Sequence, residues 1–289
     1  MKKIILIPSP KKDTNFRVAR SVILRLRSQG AKVFVDKKYR ELIWDEVETY
    51  QTPPSDADLC IVMGGDGSFL DAAPFVIEHS IPLLGINLGR VGFLPAIEPD
   101  KLSQLDKLFK KKPKLAKHIL LEVTVQTAEG EKKPCHHLAV NDVVLCCERN
   151  MGLAEFSLSD QYENGIFYRA DGMILSTPTG SSAYSLSAGG PLMENSVEAI
   201  CATPICAHSF FNRPILFGMK STVTLRNESE RGVALILSVD GRAEDRLLPG
   251  DEAIVTVSQK HLFTVEYPNS GILSTLRRKM EAAELKKDT

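Results

Sequence analysis

The first hundred residues alternate between short, almost wholly apolar runs and longer stretches in which apolar residues recur every three or four positions. The runs "KKIILIPS" (2–9), "AKVFVD" (31–36), "ADLCIVMGG" (57–65) and "IPLLGIN" (81–87) predict strands. Between them, "TNFRVARSVILRLRSQG" (14–30) has the helical spacing Phe16, Val18 or Ala19, Ile23, Leu26 and stops at Gly30. "SFLDAAPFVIEHS" (68–80) predicts a second helix, with a kink at Pro74. Strands apolar throughout and separated by helices imply a parallel sheet covered on both faces. In such a sheet ligands sit beyond the carboxyl ends of the strands, where Asp66 and Asn87 fall.

After about residue 100 the period changes. "KLSQLDKLFKKKPKLAKH" (101–118) predicts a helix and a basic connector. Then come alternating segments of β type: "ILLEVTVQT", "HHLAVNDVVLC", "EFSLSDQ", "GMILST", "STVTLRN", "VALILSVDG" and "EAIVTVSQ". "GILSTLRRKMEAAELKK" (271–287) returns to helical composition. The pattern predicts an α/β domain over 1–100, on which 271–289 can pack back, and a mainly β domain over 101–270.

Composition narrows the class. The 289 residues are 43% hydrophobic and 25% charged, as in soluble globular proteins. Basic and acidic residues number 36 each, which argues against nucleic acid as the main partner. Ile4–Ile7 is too short for a signal core, and no run approaches the roughly 18 apolar residues of a membrane span. The six cysteines (60, 135, 146, 147, 201, 206) include no CxxC pair, so reduced thiols in a cytoplasmic protein are expected.

Three stretches carry candidate chemistry. In "GGDGSFL" (64–70) the glycines allow close backbone approach to a ligand, and the following helix offers free N–H groups to phosphate. No GxxxxGK[ST] loop, complete GxGxxG, HExxH or GxSxG is present. A carboxylate at Asp66 repels phosphate unless it takes the proton of an attacking hydroxyl or holds a metal, both roles in phosphoryl transfer; otherwise it caps the helix. "RADGMILSTPTGSSAYSLSAGGP" (169–191) gathers short hydroxyls and Tyr184 around Pro178 and Gly180, as a polar-ligand loop or as a Ser/Thr-rich surface loop. Asn141-Asp142 breaks the apolar "LAVNDVVLCC", either as a turn or as partners for an adenine edge and a ribose diol. His208 reads as a core or turn histidine.

Together these stretches resemble the NAD kinase family, in its bacterial type, which phosphorylates the 2′-hydroxyl of the NAD adenosine ribose. "GGDGSFL", "NLGRVGFL", "NDVVL", the 169–191 stretch and "ATPICAHSFFNRPIL" occur in the family's order, with "VDGR" (239–242) a weaker match. The resemblance implies a Rossmann-like or phosphofructokinase-like α/β domain followed by the mainly β domain. It implies Asp66 as general base, with Gly65 and Gly67 beside the phosphates. It implies nucleotide contacts from Phe93, Asn141, Asp142, Arg169, Asp171, Thr179 and the run Ser182, Ala183, Tyr184, Ser185, Leu186, Ser187. Arg242 is included, where relatives often carry Gln or His; Asp142 stands where the family usually has Glu. The implied substrates are NAD and ATP or polyphosphate. A divalent ion (Mg or Mn) is expected on the donor phosphates, and no residue of the chain is assigned as its ligand. A homodimer or homotetramer is implied; nucleic acid and membrane are not. The rival readings are a lipid or sugar kinase of the wider GGDG group and a non-catalytic NAD sensor.

Overall fold

The computed structural model describes residues 2–40, 47–89, 92–94, 97–147, 153–162, 165–208, 210–229, 232–267 and 271–284. The chain divides into two compact units, one of Met1–Lys117 with Leu262–Thr289 and the other of His118–His261.

In chain order the first unit begins β1 (Lys3–Ile7), α1 (Arg17–Ser28), β2 (Lys32–Asp36), β3 (Glu48–Tyr50), β4 (Leu59–Gly64), α2 (Asp66–Glu78), β5 (Leu83–Asn87) and α3 (Lys107–Lys110). β6 (Leu115–Gln126) leads into β7 (Lys132–Ala139), β8 (Asp142–Cys147), β9 (Ala154–Ser159), β10 (Ile166–Ala170) and β11 (Gly172–Ser176). Then follow α4 (Tyr184–Ser187), β12 (Ala199–Ile205), β13 (Ile215–Gly218), β14 (Val223–Asn227), β15 (Leu235–Val239) and β16 (Arg242–Leu247). β17 (Glu252–Val265) and α5 (Ile272–Glu284) close the chain.

In the first unit the sheet runs β17-β5-β4-β1-β2-β3, every pair parallel. β4 and β5 are buried at every position, as strands covered on both faces must be. Ala19, Val22 and Leu26 of α1 join Ile4, Leu6, Val33, Ile61 and Met63 in one core, which Val265 and Tyr267 complete. α2 lays Phe69, Ala73 and Ile77 against β4 and β5 and runs unbroken through Pro74. The chain leaves β1 toward β2 and β3 on one side and returns to β4 and β5 on the other. The topological switch point therefore lies between β1 and β4, and their carboxyl ends open the crevice where α/β sheets bind ligands. Where a helix and a basic connector were expected over 101–118, a 3-10 segment at Pro99–Asp106 runs into the one-turn α3, and β6 already starts within the connector at Leu115.

The second unit is antiparallel. One sheet runs β13-β12-β11-β8-β15-β16. β9, β10, β14 and β17 pair with one another, and β6 pairs with β7. Inward residues from both groups, among them Phe156, Tyr168, Val223 and Val255 with Leu145, Met173, Ile200 and Leu237, form one core. The Phe156 and Tyr168 rings stack at 5.7 Å. No described helix is long and apolar enough to cross a membrane.

Candidate active site

The turn after β4 is built from glycine for a steric reason. Gly64 has φ 152°, and a Cβ there would run into the Ser68 side chain. Gly65 is the N-cap of α2 and offers no side chain to cap it. Asp66 is the first residue of α2 and does not cap its own helix. One carboxylate oxygen accepts the Phe93 N–H and the other the Leu94 N–H, each at 3.2 Å. A side chain on Gly92 would collide with that carboxylate, so the segment 92–94 wraps it through backbone alone. Phe93 carries the Lys279 ammonium 3.9 Å from its ring centroid. Burial lowers the pKa of Lys279 and the Asp66 charge works in the opposite direction.

Helix α5 reaches this place through a short polar chain. Arg278 pairs with Glu98 at 3.5 Å, and Glu98 accepts the Asn87 side-chain amide at 3.1 Å. The Asn87 oxygen in turn takes the Gly89 N–H at 3.1 Å. Gly65 and Gly89 both face Lys12, whose Nζ stands 3.0 and 3.1 Å from where a Cβ on each would lie. A Cβ on Gly67 would meet nothing within 4 Å outside its own helix backbone.

In the second unit the Asn141-Asp142 turn between β7 and β8 is held from behind by Asp240. The Asp240 carboxylate accepts the N–H groups of Val140 (2.9 Å), Asn141 (2.7 Å) and Asp142 (3.2 Å). Asp240 sits at φ 48° and is followed by Gly241 at φ 78°, a left-handed pair that aims the acid at the turn. Arg242 lies beside it and favours its ionised form. Burial pushes the Asp142 carboxyl up to about 7, with the Asp240 charge a second cause; burial raises Asp240 as well.

The loop after β11 is stitched to that turn. Thr177 donates its N–H to the Asn141 carbonyl at 2.9 Å and its hydroxyl to the Val140 carbonyl at 2.6 Å. Thr177 Oγ1 accepts the Gly180 N–H at 2.9 Å. Most of the serine hydroxyls also bind within the protein. Ser181 Oγ donates to the Pro178 carbonyl and accepts the Met193 N–H, Ser182 Oγ donates to the Thr179 carbonyl, and Ser185 Oγ meets Thr203 Oγ1 at 3.0 Å. Thr179 Oγ1 lies 3.0 Å from His118 Nδ1. What the loop turns outward is Tyr184, 48% exposed, with Leu186 and Ser187; Ala183 is half-buried. Partial burial, then the charges of Cys146, Cys206, Asp171 and Asp142, raise the Tyr184 phenol pKa. Arg169, exposed on β10, pairs with Glu155 at 3.2 Å. His208 is exposed and lies outside any regular element or turn; its N–H donates to the Arg169 carbonyl at 2.8 Å.

Each unit thus gathers its own candidate residues: Gly65, Asp66, Gly67 and Phe93 in the first, and Asn141 through Ser187 with Arg242 in the second. Sequence reading missed Lys12, Lys279 and Asp240. "VDGR" was the one local signal, and it pointed to Arg242 rather than to the acid before it. Among the described residues no group of three or more His, Cys, Asp or Glu is arranged to hold a metal.

The raised carboxyl of Asp142 has a measurable consequence. Its folded pKa lies above the unfolded value near 3.9, so its ionisation costs stability progressively from about pH 4 to pH 7. Asp142→Asn should therefore be more stable than the parent at pH 8 by about 1–3 kcal/mol, with the gain vanishing near pH 3.5. Guanidinium midpoints at the two pH values measure this; a gain independent of pH would refute it.

A family model for the ATP-NAD kinase N-terminal domain matches residues 4–112, and one for the ATP-NAD kinase C-terminal domain matches residues 140–267. The chain is 33% identical over 288 residues to a NAD kinase of Lachnoclostridium phytofermentans, covering 96% of this chain and 99% of the relative. It is 39% identical over 232 residues to a NAD kinase of Acinetobacter baylyi, covering 78% and 74%. Two solved structures share the fold. Yeast NADH kinase complexed with NADH superimposes with TM-score 0.83 at 23% identity, over 96% of this chain and 86% of that one. A NAD kinase from Archaeoglobus fulgidus in complex with ATP gives 0.71 at 21%, over 96% and 99%.

Proposed function

The chain belongs to the NAD kinase family, and from that premise we infer that it transfers the terminal phosphate of ATP or polyphosphate to the 2′-hydroxyl of the adenosine ribose of NAD, giving NADP. The observation that carries the reading is the setting of Asp66. Its carboxylate is oriented by two backbone N–H groups, one on each oxygen, and retains lone pairs for a hydroxyl proton. Asp66 acts as general base on the attacking hydroxyl, with Gly65 and Gly67 giving the phosphates room. Phe93 lies against the adenine, Asn141 and Asp142 receive the adenosine half, and Arg169 and Asp171 the nicotinamide end. Thr179, the run Ser182–Ser187 and Arg242 complete the nucleotide site. The hydroxyls of Ser182 and Ser185 serve it by shaping the loop, since both are engaged with protein partners.

A divalent ion, Mg or Mn, enters with the donor and neutralises phosphate charge. Self-association to a dimer or tetramer is supported by exposed Tyr184, Phe167 and Phe210. The free cysteines at 60, 146, 147, 201 and 206 suit a cytoplasmic enzyme.

The test is NADP formation from NAD with Mg-ATP, coupled to an NADP-specific dehydrogenase, and repeated with polyphosphate. NADP with either donor is the expected result. NAD binding with no NADP from either donor would replace this reading with that of a sensor, and phosphorylation of lipid vesicles instead would make it a lipid kinase.

A further inference from the structure

We propose that Lys12 is the residue that seats the phosphate chain of the donor, its ammonium bridging the turn after β4 and the loop after β5. The proposal rests on the kinase reading for the identity of the donor.

The loop carrying Lys12 leaves the carboxyl end of β1, beside the switch point, and it is fixed on both sides. The Ser9 carbonyl accepts the N–H groups of Lys12 (3.1 Å) and Asp13 (2.8 Å). The Asp13 carboxylate, 4% exposed, takes the N–H groups of Val18 (3.1 Å) and Ala19 (2.8 Å) at the start of α1. Asn15 and Phe16 close the bend at φ 62° and 53°. From this base the Lys12 side chain runs past Gly89, with Cδ, Cε and Nζ at 3.8, 3.7 and 3.1 Å from that residue's Cβ position. It ends beside Gly65. Those two residues follow β5 and β4, so three neighbouring strands converge on one ammonium.

Among the described residues no ion pair claims it. Lys3, Lys32, Lys38 and Lys114 of the same unit each take a carboxylate, whereas Lys12 has none among the described residues. A cation held between two side-chain-free backbone segments suits a compact, densely charged anion that must come close to the main chain. The triphosphate tail of ATP and a polyphosphate share that chemistry. The NAD diphosphate carries less charge and is a separate arm of the test.

The experiment uses the full chain as Lys12→Met, which keeps the length and removes the charge, and as Lys12→Arg. Lys12→Met should raise KM for Mg-ATP by about 10- to 100-fold, with KM for NAD moved less than about threefold; Lys12→Arg should recover most of the loss. Tripolyphosphate titrated calorimetrically onto both proteins gives a readout without turnover. Binding by the parent and not by Lys12→Met supports the assignment even where no NADP is made, in which case only the kinase reading fails. An unchanged KM for ATP, a rise confined to NAD, equal tripolyphosphate binding by both proteins, or none by the parent would each overturn it.

Discussion

Asp66→Asn should lower the rate of NADP formation by about 100- to 10,000-fold, the contribution of a well-placed general base, while NAD binding shifts by less than about threefold. The amide is nearly isosteric, so the acid's place against the Gly92 backbone is kept. What changes is chemical. The new NH2 cannot accept a hydroxyl proton, and it faces one of the two N–H groups of Phe93 and Leu94 that the carboxylate satisfied. Loss of a single neutral contact would cost only about 1 kcal/mol, so a large fall in kcat with an unchanged melting temperature assigns the effect to proton transfer. Turnover within threefold of the parent would remove Asp66 from the chemistry.

The second large effect is expected from Gly180→Ala. Gly180 is buried directly on the Asn141 main chain, and an added Cβ would overlap the Asn141 carbonyl. Neither side can yield cheaply. The Asn141 carbonyl accepts the Thr177 N–H, Thr177 Oγ1 accepts the Gly180 N–H, and Asp240 pins the turn from the other side. A methyl group forced into such a place costs about 3 kcal/mol. It should also raise KM for NAD by at least about 10-fold, as one badly displaced hydrogen-bonding turn implies. Gly218→Ala is the control, because its Cβ would enter open space. Chemical denaturation of the two variants decides the matter: equal stability of Gly180→Ala and parent would show that the two loops are not locked together.

Much of the fold was legible because burial on both faces leaves a plain trace. β1, β4 and β5 are runs of apolar residues and were read as such. Where the trace is weaker the reading thinned. β12, "AICATPI", is built from small residues and holds Pro204, so its composition says little about strand. The helix and basic connector expected over 101–118 became a 3-10 segment, the one-turn α3 and the start of β6, with Pro113 barring the helix from running on. A helix with a kink at Pro74 was expected, and α2 does carry Pro74 inside it without ending there, with Phe69, Ala73 and Ile77 buried.

The candidate chemistry was legible wherever it lay in one continuous stretch, as in "GGDGSFL" and 169–191. The supports are not local. Asp66 is oriented by amides 27 and 28 residues later, and the Asn141 turn by an acid 99 residues later. Lys12 meets loops following two other strands. No period or spacing records such pairings, since they are set by how strands are ordered in a sheet.

The same ordering bears on how the chain is made. β5 has β4 on one side, and on the other it pairs through Leu83 with Thr264 of β17, while Val265 and Tyr267 fill the core around β1 and β4. During synthesis, therefore, the first unit to begin emerging is the last to be finished. At about 5–20 residues per second the ribosome takes roughly ten to forty seconds to pass from β5 to β17; throughout that time Ile97 can bridge the Gly85–Asn87 end of the β5 edge, but its Leu83 end has no partner. The continuous stretch His118–His261, whose core takes Ala253 and Val255 from β17, is complete only three residues before Thr264 arrives. A stop codon near residue 260 would spare that unit but deprive the other of Thr264 on the β5 edge and of Val265 and Tyr267 in its core, exposing strand edge and apolar surface together.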